Sequence, residues 1–231
     1  MRGDLHVAID GPAAAGKGTV AKLLSLKLGI PCLDTGAIYR GIGVIADGVR
    51  EKYGDKWAEY LPDKLDKTHI FAQIVDNVTH IYIEGEDVTD KIRLNHISQM
   101  ASLVGTIPAV RKLCTRISQE LAATYSLIAE GRDICSVVLP NAKYKFYLDA
   151  DANERAQRRY DELISKDHGD NGDSPDPKER ITFDKVLRET IERDERDKTK
   201  GGLVKTRDAI VIDSTNLTVD QVVERMLGYI L

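Results

Sequence analysis

An α/β fold with a parallel sheet between layers of helices is predicted by three observations. Short apolar runs that read as strands alternate with longer stretches of helical period. The first run, residues 7–9, ends in Asp10 and Gly11 and passes through a glycine-rich turn into a helix that opens at Lys17. Polar clusters recur where strands end, the edge at which open α/β sheets bind ligands.

Taken in order, the turn His-Val-Ala-Ile-Asp-Gly-Pro-Ala-Ala-Ala-Gly-Lys-Gly-Thr spans residues 6–19. Gly11, Gly16 and Gly18 let backbone N–H groups approach a phosphate, and the helix N-terminus adds favourable partial charge. Lys17 supplies an ammonium and Thr19 a hydroxyl. Val20, Leu23, Leu24 and Leu28 share one helix face, and Gly29 suits the C-terminal end. Residues 30–33 read as the second strand. Asp34-Thr35-Gly36-Ala37-Ile38-Tyr39-Arg40 follows, with Thr35 as the expected cap of a helix reaching about Asp47. Residues 51–67 are charged, a helix or loop.

Residues 71–75 and 80–84 read as two strands turning at Asp76-Asn77, either an inserted subdomain or an edge hairpin of the main sheet. Residues 97–104 are helical and stop at Gly105. Pro108 opens the next helix, and Ser102 and Arg111 can face one cleft across the break. Residues 127–129 form a core strand ending in Glu130-Gly131-Arg132-Asp133, and residues 144–148 form another. Asp151-Ala152-Asn153-Glu154 has capping-box spacing and starts a helix bearing Arg155, Arg158 and Arg159, with Arg155 and Arg159 on one face. Residues 167–177 read as a polar loop.

Thr182 caps a further helix, which carries Glu189–Arg193 and Glu192–Arg196 as possible i,i+4 pairs. That helix is either an exposed, salt-bridged surface or a lid whose arginines meet phosphates. Residues 209–212 are the fifth core strand. Thr218 and Gln221 form the cap of the final helix, whose buried face holds Val222, Val223, Met226 and Ile230.

The chain has 231 residues and a net charge of −4, enough length for a sizeable core and no overall basic field to argue for nucleic acid. No apolar run reaches the ~18 residues of a membrane span, and the start of the chain shows no signal-peptide pattern. The three cysteines, Cys32, Cys114 and Cys135, lack metal-ligand spacing and read as reduced thiols. The expected setting is therefore cytoplasmic. No metal-ligating set stands out.

Several stretches together resemble the bacterial cytidylate kinases: residues 11–19, Asp-Thr-Gly-Ala-Ile-Tyr-Arg at 34–40, Glu-Gly-Glu-Asp-Val-Thr-Asp at 84–90 with Ile92-Arg93, Gly-Arg-Asp at 131–133, and Glu-Arg-Asp at 192–194 with Arg196-Asp197. They keep the family's order over nearly the whole chain. The resemblance implies the three-layer P-loop kinase fold with five parallel strands. It implies a core of residues 1–62, 97–150 and 205–231, a small β-containing monophosphate-binding insert at 63–96, and a helical lid region at 151–204. It implies transfer of the γ-phosphoryl group of ATP to CMP or dCMP with Mg²⁺, in pyrimidine nucleotide metabolism, by an enzyme expected to be monomeric.

On that resemblance, ATP is held by Gly11, Pro12, Ala13, Ala14, Ala15, Gly16, Lys17, Gly18 and Thr19, with Arg158. Thr35, Arg40 and Arg132 grip the acceptor phosphate, because a planar guanidinium is bidentate and always charged. Ser102, Arg111 and Asp133 read the base, a carboxylate accepting from the cytosine amino group and repelling the uracil carbonyl. Arg193 and Asp197 reach the sugar, and Lys17, Arg132 and Arg193 carry the catalytic charge.

The chain departs from the family at Lys200, usually an arginine, at Gly202-Leu203, usually Pro-Leu, and at Ile134-Cys135-Ser136 after Gly-Arg-Asp. Cys135 reads as a packed thiol or as a neighbour of the substrate. Competing readings are a related kinase for UMP, AMP or a non-nucleotide acceptor, and an inactive regulatory relative. A nucleotide-switch GTPase would need Asn-Lys-x-Asp, which does not occur.

Overall fold

The computed structural model describes residues 5–167, 181–199 and 202–231. The expected polar loop at 168–177 and Lys200 lie outside the described residues. Five parallel strands form the main sheet: β1 (His6–Asp10), β2 (Cys32–Asp34), β6 (Leu127–Gly131), β7 (Tyr144–Asp149) and β8 (Ile210–Asp213), in the order β2-β6-β1-β7-β8. β1 lies at the centre, paired with β6 through His6↔Leu127 and with β7 through Val7↔Tyr144. Strands buried on both faces need continuous apolar runs, and Val7, Ala8, Ile9, Ile128 and Leu148 have no exposed surface.

Helices cover both faces. α1 (Lys17–Leu28) and α8 (Val219–Ile230) pack against one side, where Leu24, Ile128, Phe146, Val223 and Met226 form a core. On the other, α2 (Thr35–Tyr53), α4 (Asn95–Val104) and α5 (Pro108–Thr124) enclose Ile38, Ile42, Met100, Val110 and Ile134. Gly29 ends α1 in the left-handed conformation, its N–H donating to Ser25 O. The capping box of α8 forms as expected between Thr218 and Gln221. Val222, Val223 and Met226 are buried on its apolar face, and Ile230, half-buried, packs against the same core.

α2 differs from expectation in two ways. Its cap is Asp34, whose carboxylate accepts from the N–H of Ala37, while Thr35 is the first helical residue and donates its hydroxyl to the Glu130 carbonyl. The helix also continues past Asp47 to Tyr53, because Val49 is buried and Gly54, at φ +55, makes the stop. α3 (Trp57–Leu65) follows after a short turn.

β3 (Ile70–Val75), β4 (Val78–Ile83) and the short β5 (Glu86–Asp87) make a separate antiparallel sheet, not an edge of the main one. Asp76 and Asn77, both at positive φ, make the two-residue turn. Thr79 of β4 accepts from the Asp34 N–H, joining this sheet to the end of β2.

Beyond β6 the chain makes a single π-type turn, Ile134–Val138, with Val138 N–H bonded to Asp133 O and Leu139 N–H to Ile134 O. α6 (Ala152–Asp167) and α7 (Phe183–Thr199) pack against each other at the carboxyl edge of the sheet. Asp151 caps α6 through the N–H of Asn153, but Glu154 pairs with Arg158 and does not return to the cap. Among the described residues no helix is long and apolar enough to cross a membrane.

Candidate functional site

The carboxyl ends of β1, β2 and β6 open into one cleft of about 1200 Å³, roofed by α6 and α7. Ala13, Ala14, Ala15, Gly16, Lys17, Gly18, Thr19, Thr35, Arg40, Ser102, Arg111, Arg132, Asp133, Arg158, Arg193 and Asp197 all line it. The other two expected site residues, Gly11 and Pro12, are buried and do not.

The glycine-rich turn is held from within. Gly11 sits at φ +151 with the Leu148 carbonyl so close that an added Cβ would lie 2.0 Å from its oxygen. Its lack of a side chain thus serves the packing of the turn on β7, not a direct approach to a phosphate. Gly16 at φ +89 precedes α1. Lys17 donates to the Pro12 carbonyl at 2.7 Å. Burial and the nearby Arg132 guanidinium lower its pKa to about 7.

A second cluster stands at the ends of β2 and β6. Arg40 and Asp34 pair at 2.6 Å. Thr35 lies under Gly131, where a Cβ would come 2.6 Å from its hydroxyl. Arg132 pairs through Nε with Asp197 of α7 at 2.6 Å. Arg193 comes within 4.0 Å of the same carboxylate, its Nε without a hydrogen bond. Burial, then the Arg132 charge, lowers the Arg193 pKa to about 10. Cations crowded in this way hold one another's charge at a cost that an anion between them relieves.

A third group lies between α4 and α5. Arg111 pairs with Asp133, which is 4% exposed, and also reaches the Gly105 carbonyl at 3.4 Å. Burial raises the pKa of Asp133 while the Arg111 charge opposes the rise. Ser102 accepts from Arg196 of α7 at 2.7 Å. The expected pairs Glu189–Arg193 and Glu192–Arg196 do not form among the described residues, because Arg193 turns toward Asp197 and Arg196 toward Ser102. α7 therefore presents its arginines to the cleft.

Arg158 reaches the Ser214 carbonyl at 2.8 Å from the opposite side. Arg155 and Arg159 diverge. Arg159 meets Glu162 and Asn95, while Arg155 is buried against Asp194. Cys135 packs with its sulfur 3.7 Å from the Ala8 and Phe146 carbonyls, and burial pushes its thiol pKa far up, so it is an inert core group.

Three groups escaped the sequence reading. Asp10 is fully buried and accepts from the N–H groups of Ile134 and Cys135 at 2.7 and 2.9 Å, tying β1 to the turn after Asp133. An aspartate directly after an apolar strand was the available signal. Glu130 stands between Lys17, Asp34 and Arg132, its carboxyl pKa raised by burial and by Asp34. The Arg155–Asp194 pair had no local signal.

The description of the cytidylate kinase family matches residues 7–231. A cytidylate kinase from Caldicellulosiruptor saccharolyticus is 41% identical over 227 residues, covering 96% of this chain and 94% of that one. One from Vibrio vulnificus is 40% identical over 230 residues, 97% of this chain and 94% of the other. One from Carboxydothermus hydrogenoformans is 37% identical, covering 98% and 97%. Among solved structures, a shikimate kinase from Bacteroides thetaiotaomicron aligns over 98% of both chains at TM-score 0.47 and 11% identity, too distant to bear on chemistry. By the extent and identity of these matches, the chain belongs to the cytidylate kinase family.

Proposed function

We infer that this chain transfers the γ-phosphoryl group of ATP to CMP or dCMP, giving ADP and CDP or dCDP. The observation that carries the base assignment is the Arg111–Asp133 pair, set in the same cleft as the glycine-rich turn and the arginine cluster. In this reading, residues 13–19 hold the donor phosphates, with Arg158 beside them, while Gly11 and Pro12 shape the turn from within. Thr35, Arg40 and Arg132 receive the acceptor phosphate. Ser102, Arg111 and Asp133 read cytosine. Arg193 and Asp197 approach from α7, and the β3–β5 sheet serves as the monophosphate-side insert.

Most of the catalysis is positioning and charge neutralisation. The incoming phosphate oxygen is already anionic and needs no general base. Lys17, Arg132 and Arg193 stand around the space where charge builds up during transfer. Their lowered or crowded cationic states make an anion there favourable. Asp133 accepts from an exocyclic amino group and opposes a carbonyl, a distinction worth far more than a methylene's difference.

Mg²⁺ fits this site. Glu130 supplies a hard oxygen donor beside Lys17, the ligand type that magnesium prefers. Among the described residues no group of three acidic, His or Cys side chains forms a cage, so the ion would be held mainly by the nucleotide phosphates. It would neutralise phosphate charge there. One chain carries every group this scheme needs, which supports a monomer; a cytoplasmic setting belongs to the same reading.

The test is ATP-dependent diphosphate formation across CMP, dCMP, UMP, AMP and GMP with Mg²⁺. Clear preference for CMP and dCMP is expected. Preference for UMP or AMP would remove Asp133 from base reading.

A further inference from the structure

One buried ion pair takes no part in the scheme above. Arg155 of α6 is 4% exposed and spends four N–H groups inside the protein. Its Nε donates to the Ala150 carbonyl at 2.9 Å. Its Nη1 donates to Asp194 Oδ1 at 3.0 Å and to the Ala13 carbonyl at 3.1 Å, and its Nη2 donates to Asp194 Oδ2. Only a guanidinium offers donors enough for all four bonds in one plane. Asp194 lies on α7, three residues before the Asp197 that holds Arg132.

The Ala13 contact falls within the glycine-rich turn. A trans peptide points its C=O and the following N–H in opposite directions. Fixing the Ala13 carbonyl toward α6 therefore turns the Ala14 N–H the other way. Ala14 is also the one residue of the turn that holds a left-handed backbone, φ +58, without being glycine. Such a residue is strained and persists only where its surroundings impose it. Arg155 supplies that constraint on the N-terminal side of Ala14.

We propose that Arg155, clamped by Asp194, is a positioning residue for the donor nucleotide: it pins the Ala13 carbonyl, holds Ala14 in its left-handed conformation and presents the Ala14 N–H to a phosphate. The same pair bolts α7 to the donor side of the cleft, as the Arg132–Asp197 pair bolts it to the acceptor side. This deepens the kinase reading and rests on it for the identity of the donor.

The experiment measures ATP binding by calorimetry with no acceptor present, and CMP binding separately, in Arg155→Lys and Asp194→Asn. Arg155→Lys keeps the charge and loses the fork. It should raise the Kd for ATP about tenfold or more, while CMP affinity moves less than about twofold, as loss of an oriented contact at one subsite requires. Asp194→Asn leaves Arg155 able to reach Ala13 but unclamped, and should give a smaller loss in the same direction. It serves as the main test if Arg155→Lys does not fold. The decisive step is the double variant Arg155→Lys with Ala14→Gly. Glycine takes positive φ without strain, so the double variant should bind ATP severalfold tighter than Arg155→Lys alone. A merely structural pair would lower the melting temperature without this rescue. Unchanged ATP affinity in Arg155→Lys, equal losses for ATP and CMP, or no rescue by glycine would each overturn the proposal. These arms need no turnover, so an enzyme that failed to phosphorylate CMP would refute the kinase reading and leave this test intact.

Discussion

Replacing Asp133 by Asn leaves the shape of the site and removes one charge. The Asp133 side chain is buried, and Arg111 pairs with it from α5. A hydrogen bond to a charged group contributes about 1.5–3 kcal/mol and a neutral one about 1 kcal/mol. The cytosine amino group should therefore lose about 1–2 kcal/mol, a roughly 5- to 30-fold fall in kcat/KM for CMP. Uracil gains, because an amide can turn its NH₂ toward the carbonyl that the carboxylate repels. Together the two changes should narrow the CMP-over-UMP preference by about 10²-fold. Arg111 loses its counter-charge, so some stability goes too, about 1–3 kcal/mol for a partly buried pair. Steady-state kinetics on both acceptors, with a melting curve to separate the stability loss, reads all three effects. A variant with lower CMP activity but an unchanged CMP-to-UMP ratio would refute base reading by Asp133.

Lys17→Met should cut turnover on every acceptor by about 10²-fold or more, with no change in the acceptor ranking; a change confined to one acceptor would contradict the donor assignment. The Lys17 pKa near 7 also has a sign that can be checked. Above pH 7 the free enzyme holds this lysine largely neutral, and bound phosphates recharge it. Calorimetry at pH 8 in buffers of different ionisation enthalpy should therefore show close to one proton taken up per ATP, falling toward none at pH 6. Gly11→Ala drives a methyl into the Leu148 carbonyl and should cost roughly 3 kcal/mol of stability, read as a lower urea midpoint; a midpoint equal to the parent's would show that the turn yields. Gly202→Ala places a Cβ 2.1 Å from the Arg111 guanidinium and at φ +74, so it should weaken CMP binding more than ATP binding, by equilibrium titration of each.

What the sequence revealed was local. The caps at Asp151 and Thr218, the stop at Gly29 and the turn at Asp76-Asn77 each depend on residues within a few positions, and each formed. Asp34 and Thr35 both cap well, and neighbour chemistry alone could not choose between them. Asp34 won because the Thr35 hydroxyl found the Glu130 carbonyl, 95 residues away. The spacing of apolar residues carried the second helix only to about Asp47, but burial of Val49 extends α2 to Tyr53. Helical spacing suggested Glu189–Arg193 and Glu192–Arg196. Arg193 took the other i,i+4 carboxylate, Asp197, which already holds Arg132 of the strand end, and Arg196 took Ser102 of α4, contacts that helical spacing alone could not choose. Arg155–Asp194 and Arg132–Asp197, separated by 39 and 65 residues, follow from packing that no window of sequence contains.

The contact between Gly11 and Leu148 bears on how degenerate members of such a family are recognised. Position 11 is fixed by the packing of a turn on a strand, so a descendant that had ceased to handle nucleotides would still carry glycine there. Around Gly18 an added Cβ would meet nothing nearer than Glu130 Oε1 at 3.7 Å, so architecture permits other residues at that position. Drift at position 18 is therefore tolerated by the fold, whereas loss of the lysine beside it reports a change of trade. Persistence of the first glycine reports only that the sheet still folds.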